Sequence, residues 1–170
     1  MRELAPMTLD DFDRAPVRFT GEATLAATPE AVFDELGDPS LWLPLMRRSV
    51  WRTGATSGVG AERDVELALF GGFRERMLVW DRGVRCAFTM VGTTSPLIAR
   101  MAEDWRLAST DRGTHVTYTV AAELRPLARA AAPALRLATR GLFATGLRGL
   151  AKRTRWSAKH VHEGRGTQPA

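Results

Sequence analysis

Apolar and polar residues alternate with a period of two through most of residues 61–123, and the period changes to about 3.6 after Arg125. The alternating part predicts strands over 61–70, 73–81, 84–91, 98–109 and 114–123. Gly71-Gly72, Asp81-Arg82-Gly83, 92–96 and 110–113 punctuate them. Short strands joined by tight turns imply an antiparallel meander. Two further strands are expected at 17–26 and 47–53, the second followed by a Gly-rich turn over 54–60. Between them, Thr28-Pro29-Glu30 reads as a helix start, with Thr28 as cap, Pro29 in the first turn and Gly37 as the stop. Asp38-Pro39-Ser40 starts a second short helix carrying Leu41, Trp42, Leu45 and Met46.

From Arg125 the pattern is helical. Leu127, Ala131, Ala134, Leu135, Ala138, Leu142, Thr145, Gly149 and Trp156 fall on one side of the wheel, and Arg129, Arg136, Arg140, Arg148 and Arg155 on the other. Pro133 kinks or restarts this helix. The expected architecture is α+β. A curved antiparallel sheet of about seven strands wraps a long C-terminal helix, with two short helices between strands 1 and 2. Residues 16–157 form the single domain. Residues 1–15 are a flexible lead-in and 158–170 a disordered tail.

Strand parity assigns side chains to faces. Arg63, Val65 and Leu67 share one side, as do Glu75 and Met77. Cys86, Phe88 and Met90 go together, as do Met101, Glu103 and Trp105, and Val116 and Tyr118. These sets must face the helix, so they enclose a space walled mainly by Leu, Val, Met, Phe and Trp. Trp42 stands at its mouth, and Ala138 and Leu142 close it from the helix. The small residues on that helix face either let it approach the sheet closely or leave volume unfilled. Such a wall suits an apolar or aromatic ligand.

Glu75, Glu103 and Tyr118 are the polar exceptions on the inward side. A carboxyl there is protonated, paired with an inward Arg such as Arg63, or wetted, and is then a candidate acid, base or anchor. His115 has the parity of Thr117 and Thr119 and should face solvent. Cys86 is the sole cysteine, an inert buried thiol that excludes an intramolecular disulfide. No clustered His or Cys suggests zinc, and Gly71-Gly72 is a hairpin turn rather than a phosphate loop. Neither a metal nor a cofactor is expected.

Charge refines the picture at one end. Residues 1–124 carry 14 basic and 18 acidic side chains, residues 125–170 ten basic and one acidic. The Arg stripe reads as a solvated helix face, with an anionic membrane surface or an acidic partner as the alternative. No stacking aromatics interleave with it and the body is net acidic, so nucleic acid is not expected. The N-terminus has no apolar signal-like region and no run is long enough to span a membrane, so a cytoplasmic location is the default. Oligomeric state is left open.

The order of elements and several short motifs together resemble the SRPBCC (START/Bet v 1-like) superfamily, and its polyketide cyclase/dehydrase-like branch in particular. The motifs are Thr28-Pro29-Glu30-Ala31-Val32-Phe33 with Asp38-Pro39, Gly58-Val59-Gly60, and Glu75-Arg76-Met77 leading to Trp80-Asp81. Trp105-Arg106-Leu107 and Gly113-Thr114-His115-Val116-Thr117 complete them. The resemblance spans about residues 17–155. It implies a helix-grip fold holding a lipid or an aromatic, polyketide-like molecule. It also implies, as the alternative, a cyclase, aromatase or dehydratase using Glu75, Glu103 or Tyr118 for proton transfer.

Overall fold

A computed structural model describes residues 1–52 and 58–163, with side chains outside that gap as far as Arg155. Its strands are β1 (Arg2–Glu3), β2 (Val17–Leu25), β3 (Met46–Trp51), β4 (Glu62–Leu67), β5 (Gly71–Asp81), β6 (Arg85–Thr93), β7 (Ile98–Thr110) and β8 (Gly113–Leu124). Its helices are α1 (Pro29–Leu36) and α2 (Ala132–Glu163). The sheet order is β2-β8-β7-β6-β5-β4-β3, antiparallel at every step, with β1 added against β6. The curved sheet and the long helix are therefore those the alternation implied, with one strand more.

Local chemistry sets the boundaries. Thr28 Oγ1 accepts from the Ala31 N–H, and Pro29 occupies the first turn of α1, where a missing N–H is harmless. The second expected helix is a single 3-10 turn, Pro39–Leu41, because Met46 already belongs to β3. Its Leu41 is exposed, while Trp42 is buried and donates Nε1–H to the Glu35 carbonyl at 2.7 Å. The β4–β5 turn lies over 68–70, just before the glycine pair, and Gly71 opens β5 at φ 88°. The expected turn over 54–60 falls partly outside the described residues; Gly58 and Gly60 have φ of 105° and 84°. After β8 comes a 3-10 segment, Pro126–Ala131, and α2 then starts with Pro133 in its first turn, so the proline begins the helix rather than bending it.

Two expectations are corrected. The inward face of α2 is broader than assigned: Ala138, Leu142 and Gly149 do face the cavity or Trp42, and the face extends one position further along the wheel. Phe143, Gly146, Leu150 and Thr154 are buried, and Leu127, assigned inward, is fully exposed in the preceding 3-10 segment. The arginines away from this stripe include Arg136, whose Nη2 donates to the Pro16 carbonyl at 3.0 Å. Among the described residues no helix is long and apolar enough to cross a membrane. Helix α2 itself continues to Glu163, past the expected domain end, and residues 164–170 of the expected tail lie outside the described residues.

The second correction concerns residues 1–15, which are a built part of the wall. Beyond the Thr89–Ala102 pair, β6 and β7 part company. β1 takes the free edge of β6, with Arg2 opposite Thr93 and Glu3 opposite Gly92, and the Leu4 N–H bonds the Val91 carbonyl. Arg2 Nη2 donates to the carbonyls of Ser95 (3.1 Å) and Ile98 (2.8 Å), which tethers the β6–β7 loop. Leu4 joins the main core. Met7 and Phe12 form a smaller one with Ala102 and Ala121. The acids and prolines in this stretch signalled an open chain, but its four apolar residues at 4, 7, 12 and 15 are what hold it down.

Candidate functional site

Between the concave face of the sheet, α2 and the Pro39–Leu41 turn lies a cavity of about 340 Å³. Parity brings the inward residues of β4 to β8 onto its floor, and antiparallel register then sets which of them meet. Trp42, Arg63, Leu67, Glu75, Cys86 and Phe88 all line it, as do Met90, Met101, Glu103, Trp105 and Tyr118. Ala138 and Leu142 line it from α2. Met77 does not. It has inward parity and is buried, but it packs in the solid core beside the cavity, at a register irregularity of β5. His115 lies half-buried on the outer face, 3.8 Å from Glu22.

Phe143 is a wall residue that the sequence reading missed, and it sits at the centre of the aromatic cluster. Its ring stacks on Tyr118, with centroids 5.1 Å apart and planes 10° from parallel. Tyr118 in turn lies 4.2 Å from Trp105, and Trp105 packs edge-on to Trp42 at 5.9 Å. The space for Phe143 comes from Gly21, opposite Tyr118 in the β2–β8 register, since a Cβ there would overlap the Phe143 ring. The signal was present as the i, i+3, i+7, i+11 series Phe143, Gly146, Leu150, Thr154.

The polar wall residues separate into two groups. Arg63 and Glu75 face each other across β4 and β5, with Nη2 2.6 Å and Nε 2.8 Å from Glu75 Oε2. Arg63 Nη1 also donates to the carbonyls of Leu36 (3.0 Å) and Gly37 (2.9 Å), so the guanidinium caps the C-terminus of α1. Its carbon lies 5.2 Å from the Trp51 ring and 5.7 Å from that of Phe88. Burial pushes the Glu75 carboxyl up, and the charge and hydrogen bonds of Arg63 oppose the shift.

Glu103 and Tyr118 form the second group. The register pairs Trp105 with Tyr118, which sets Tyr118 diagonally across from Glu103. The Tyr118 hydroxyl donates to Glu103 Oε2 at 2.8 Å. Burial, and secondarily the nearby Glu75 charge, raises Glu103 from 4.5 to about 7; the hydrogen bonds from Tyr118 and Trp105 and the Arg63 charge only partly counter this. Burial beside Glu103 likewise raises the Tyr118 hydroxyl. Cys86 is pushed up to about 12 by burial, so its thiol stays protonated and unreactive. The arrangement places a carboxyl, hydrogen-bonded to a phenol, on the wall of a largely apolar chamber.

An antiparallel sheet gripping a long helix around such a chamber defines a helix-grip protein of the SRPBCC type. The chain belongs to the family described as polyketide cyclase / dehydrase and lipid transport, which it matches over residues 16–155. An uncharacterized protein of Mycobacterium tuberculosis is 31% identical over 137 residues, which is 75% of this chain and 81% of that protein. Among solved structures, the aromatase/cyclase Zhui from Streptomyces sp. R1128 superposes with a TM-score of 0.69 at 16% identity. The alignment covers 81% of this chain and 93% of that one. The di-domain ARO/CYC StfQ of the steffimycin biosynthetic pathway superposes with a TM-score of 0.72 at 14% identity, over 88% of this chain and 54% of that chain. At these identities the structures share the fold.

Proposed function

We propose that this protein holds a hydrophobic small molecule, a lipid or an aromatic, polyketide-like compound, in the cavity under α2. The observation that carries the reading is the cavity itself: about 340 Å³ of space within a wall that is mostly Leu, Met, Phe and Trp. Unfilled apolar volume of this size weakens a core, and a ligand that fills it restores the lost contacts. The family description supports the same reading. Native mass spectrometry of the purified protein should find a bound apolar molecule. A neutral fluorescent probe such as N-phenyl-1-naphthylamine should bind with one site per chain. Ala138→Trp fills the chamber from α2, and it should weaken the probe by about tenfold or more. Equal binding by the two proteins would move the site elsewhere.

A second reading, a cyclase- or dehydratase-like enzyme, is favoured by the 2.8 Å Tyr118–Glu103 hydrogen bond on the cavity wall. Glu103 is the group to exchange a proton with a bound carbonyl or hydroxyl. Glu75 is occupied by Arg63 and positions it. In that case turnover of a poly-β-ketone substrate falls about 10²–10⁴-fold in Glu103→Gln.

A further inference from the structure

The chamber presents a ligand with one charged group that it can reach, and that group is an acid. Arg63 and Glu75 are 2% and 4% exposed. They bind each other, and Arg63 also binds two backbone carbonyls. Glu103 keeps part of its surface open and lines the cavity. Its partners are neutral donors, the Tyr118 hydroxyl and the Trp105 side chain. The groups facing it are Arg63 on β4, Glu75 on β5, Cys86 on β6 and Tyr118 on β8. The wall contributed by α2 is Ala131, Ala134, Leu135, Ala138 and Thr139, with Leu142, Phe143 and Gly146 beyond them, and none of these carries charge. No Lys or His lines the chamber among the described residues. With Glu103 ionised, one positive and two negative charges face a space ringed by Trp42, Phe88, Trp105, Tyr118 and Phe143.

From this imbalance we infer that the chamber selects an apolar molecule ending in a protonated amine, with the ammonium on Glu103 and the apolar body against the aromatic rings. The inference rests on the ligand-binding reading above and sharpens it. An ammonium supplies the missing positive charge, and aromatic faces attract it further. A fatty-acid carboxylate would instead bring a third negative group against Glu103 and Glu75, with Arg63, the one cation lining the chamber among the described residues, already engaged. An alcohol is neutral and falls between them. Below pH about 7 the bound amine displaces the Glu103 proton to solvent, so amine affinity rises with pH through that midpoint.

The test titrates the full chain with decylamine, decanol and decanoate by calorimetry. At pH about 8, decylamine should bind about tenfold or more tighter than decanoate, with decanol between them. At pH about 6, repeating the amine titration in buffers of different protonation heat should reveal proton release. Glu103→Gln should erase the preference for amine and retain decanol binding. Tyr118→Phe keeps the carboxylate and should keep the preference, which guards against a misfolded Gln variant. Decanoate binding as tightly as decylamine, or an amine preference that survives in Glu103→Gln, overturns this inference and leaves the cavity-binding reading standing. If none of the three binds, that reading fails as well.

Discussion

At the scale of single residues, Arg63 joins the end of α1 to the carboxylate of Glu75 from one position on β4, which leaves Glu103 as the chamber's unneutralised acid. Glu103 holds its proton more tightly in the folded chain, with a midpoint near 7 against an ordinary 4.5. The stability it confers is therefore full below pH about 4.5 and is lost as pH rises through about 7, a loss of up to roughly 3 kcal/mol. Urea denaturation of the wild type and Glu103→Gln checks this. The wild type should lose stability relative to the variant between pH about 5 and about 8. A constant difference would mean that Glu103 titrates normally. Parity alone put Arg63, Glu75, Glu103 and Tyr118 on the inward face, because a strand's period leaves two choices. Which carboxyl is neutralised depends on register and on the reach of Arg63 to α1, and neither is written in the alternation.

Among the elements, the strands and α1 were legible because turn glycines, prolines and caps mark their ends. The phase of α2 was legible only in part: Ala138, Leu142 and Gly149 face inward as the wheel has them, but the buried Phe143, Gly146 and Leu150 were not assigned there. Its inward face is Ala, Gly and Thr beside a few Leu, so the wheel has little contrast, and tertiary packing chooses the rotation. The choice is visible at Gly149, where a Cβ would overlap the Trp42 carbonyl oxygen, and at Gly146, where one would lie 3.1 Å from the Trp42 ring and from Leu43. Gly141 is exposed with nothing near it. The two ends of this comparison predict opposite signs. Gly141→Ala should raise stability by about 0.5–1 kcal/mol through helix propensity. Gly149→Ala should lower it by about 1–3 kcal/mol through overpacking. Thermal melts of the two variants separate them; two shifts in the same direction would contradict this seating of α2.

For the whole molecule, the matched family region begins at residue 16, while the wall begins at residue 2. The N-terminal stretch fills the gap between β6 and β7, anchors the loop at Ser95 and Ile98, and buries Leu4, Met7 and Phe12. Its acids and prolines disguised this role, since composition reports average polarity and not the few apolar side chains that dock. Removing residues 1–12 exposes those three sites and should cost several kcal/mol, of the order of 1.5–3 kcal/mol for each large side chain. Calorimetry should show a markedly lower Tm, whereas an unchanged Tm would make the stretch a passenger. The same arm carries a consequence for self-association. A slot that receives a strand from its own chain can in principle receive the same strand from a second copy, with the hydrogen bonds of Arg2 and Leu4 available to it again. Two copies trading arms would close both slots. A truncated copy would leave its own edge vacant as a template, which recruits partners until light scattering reports them.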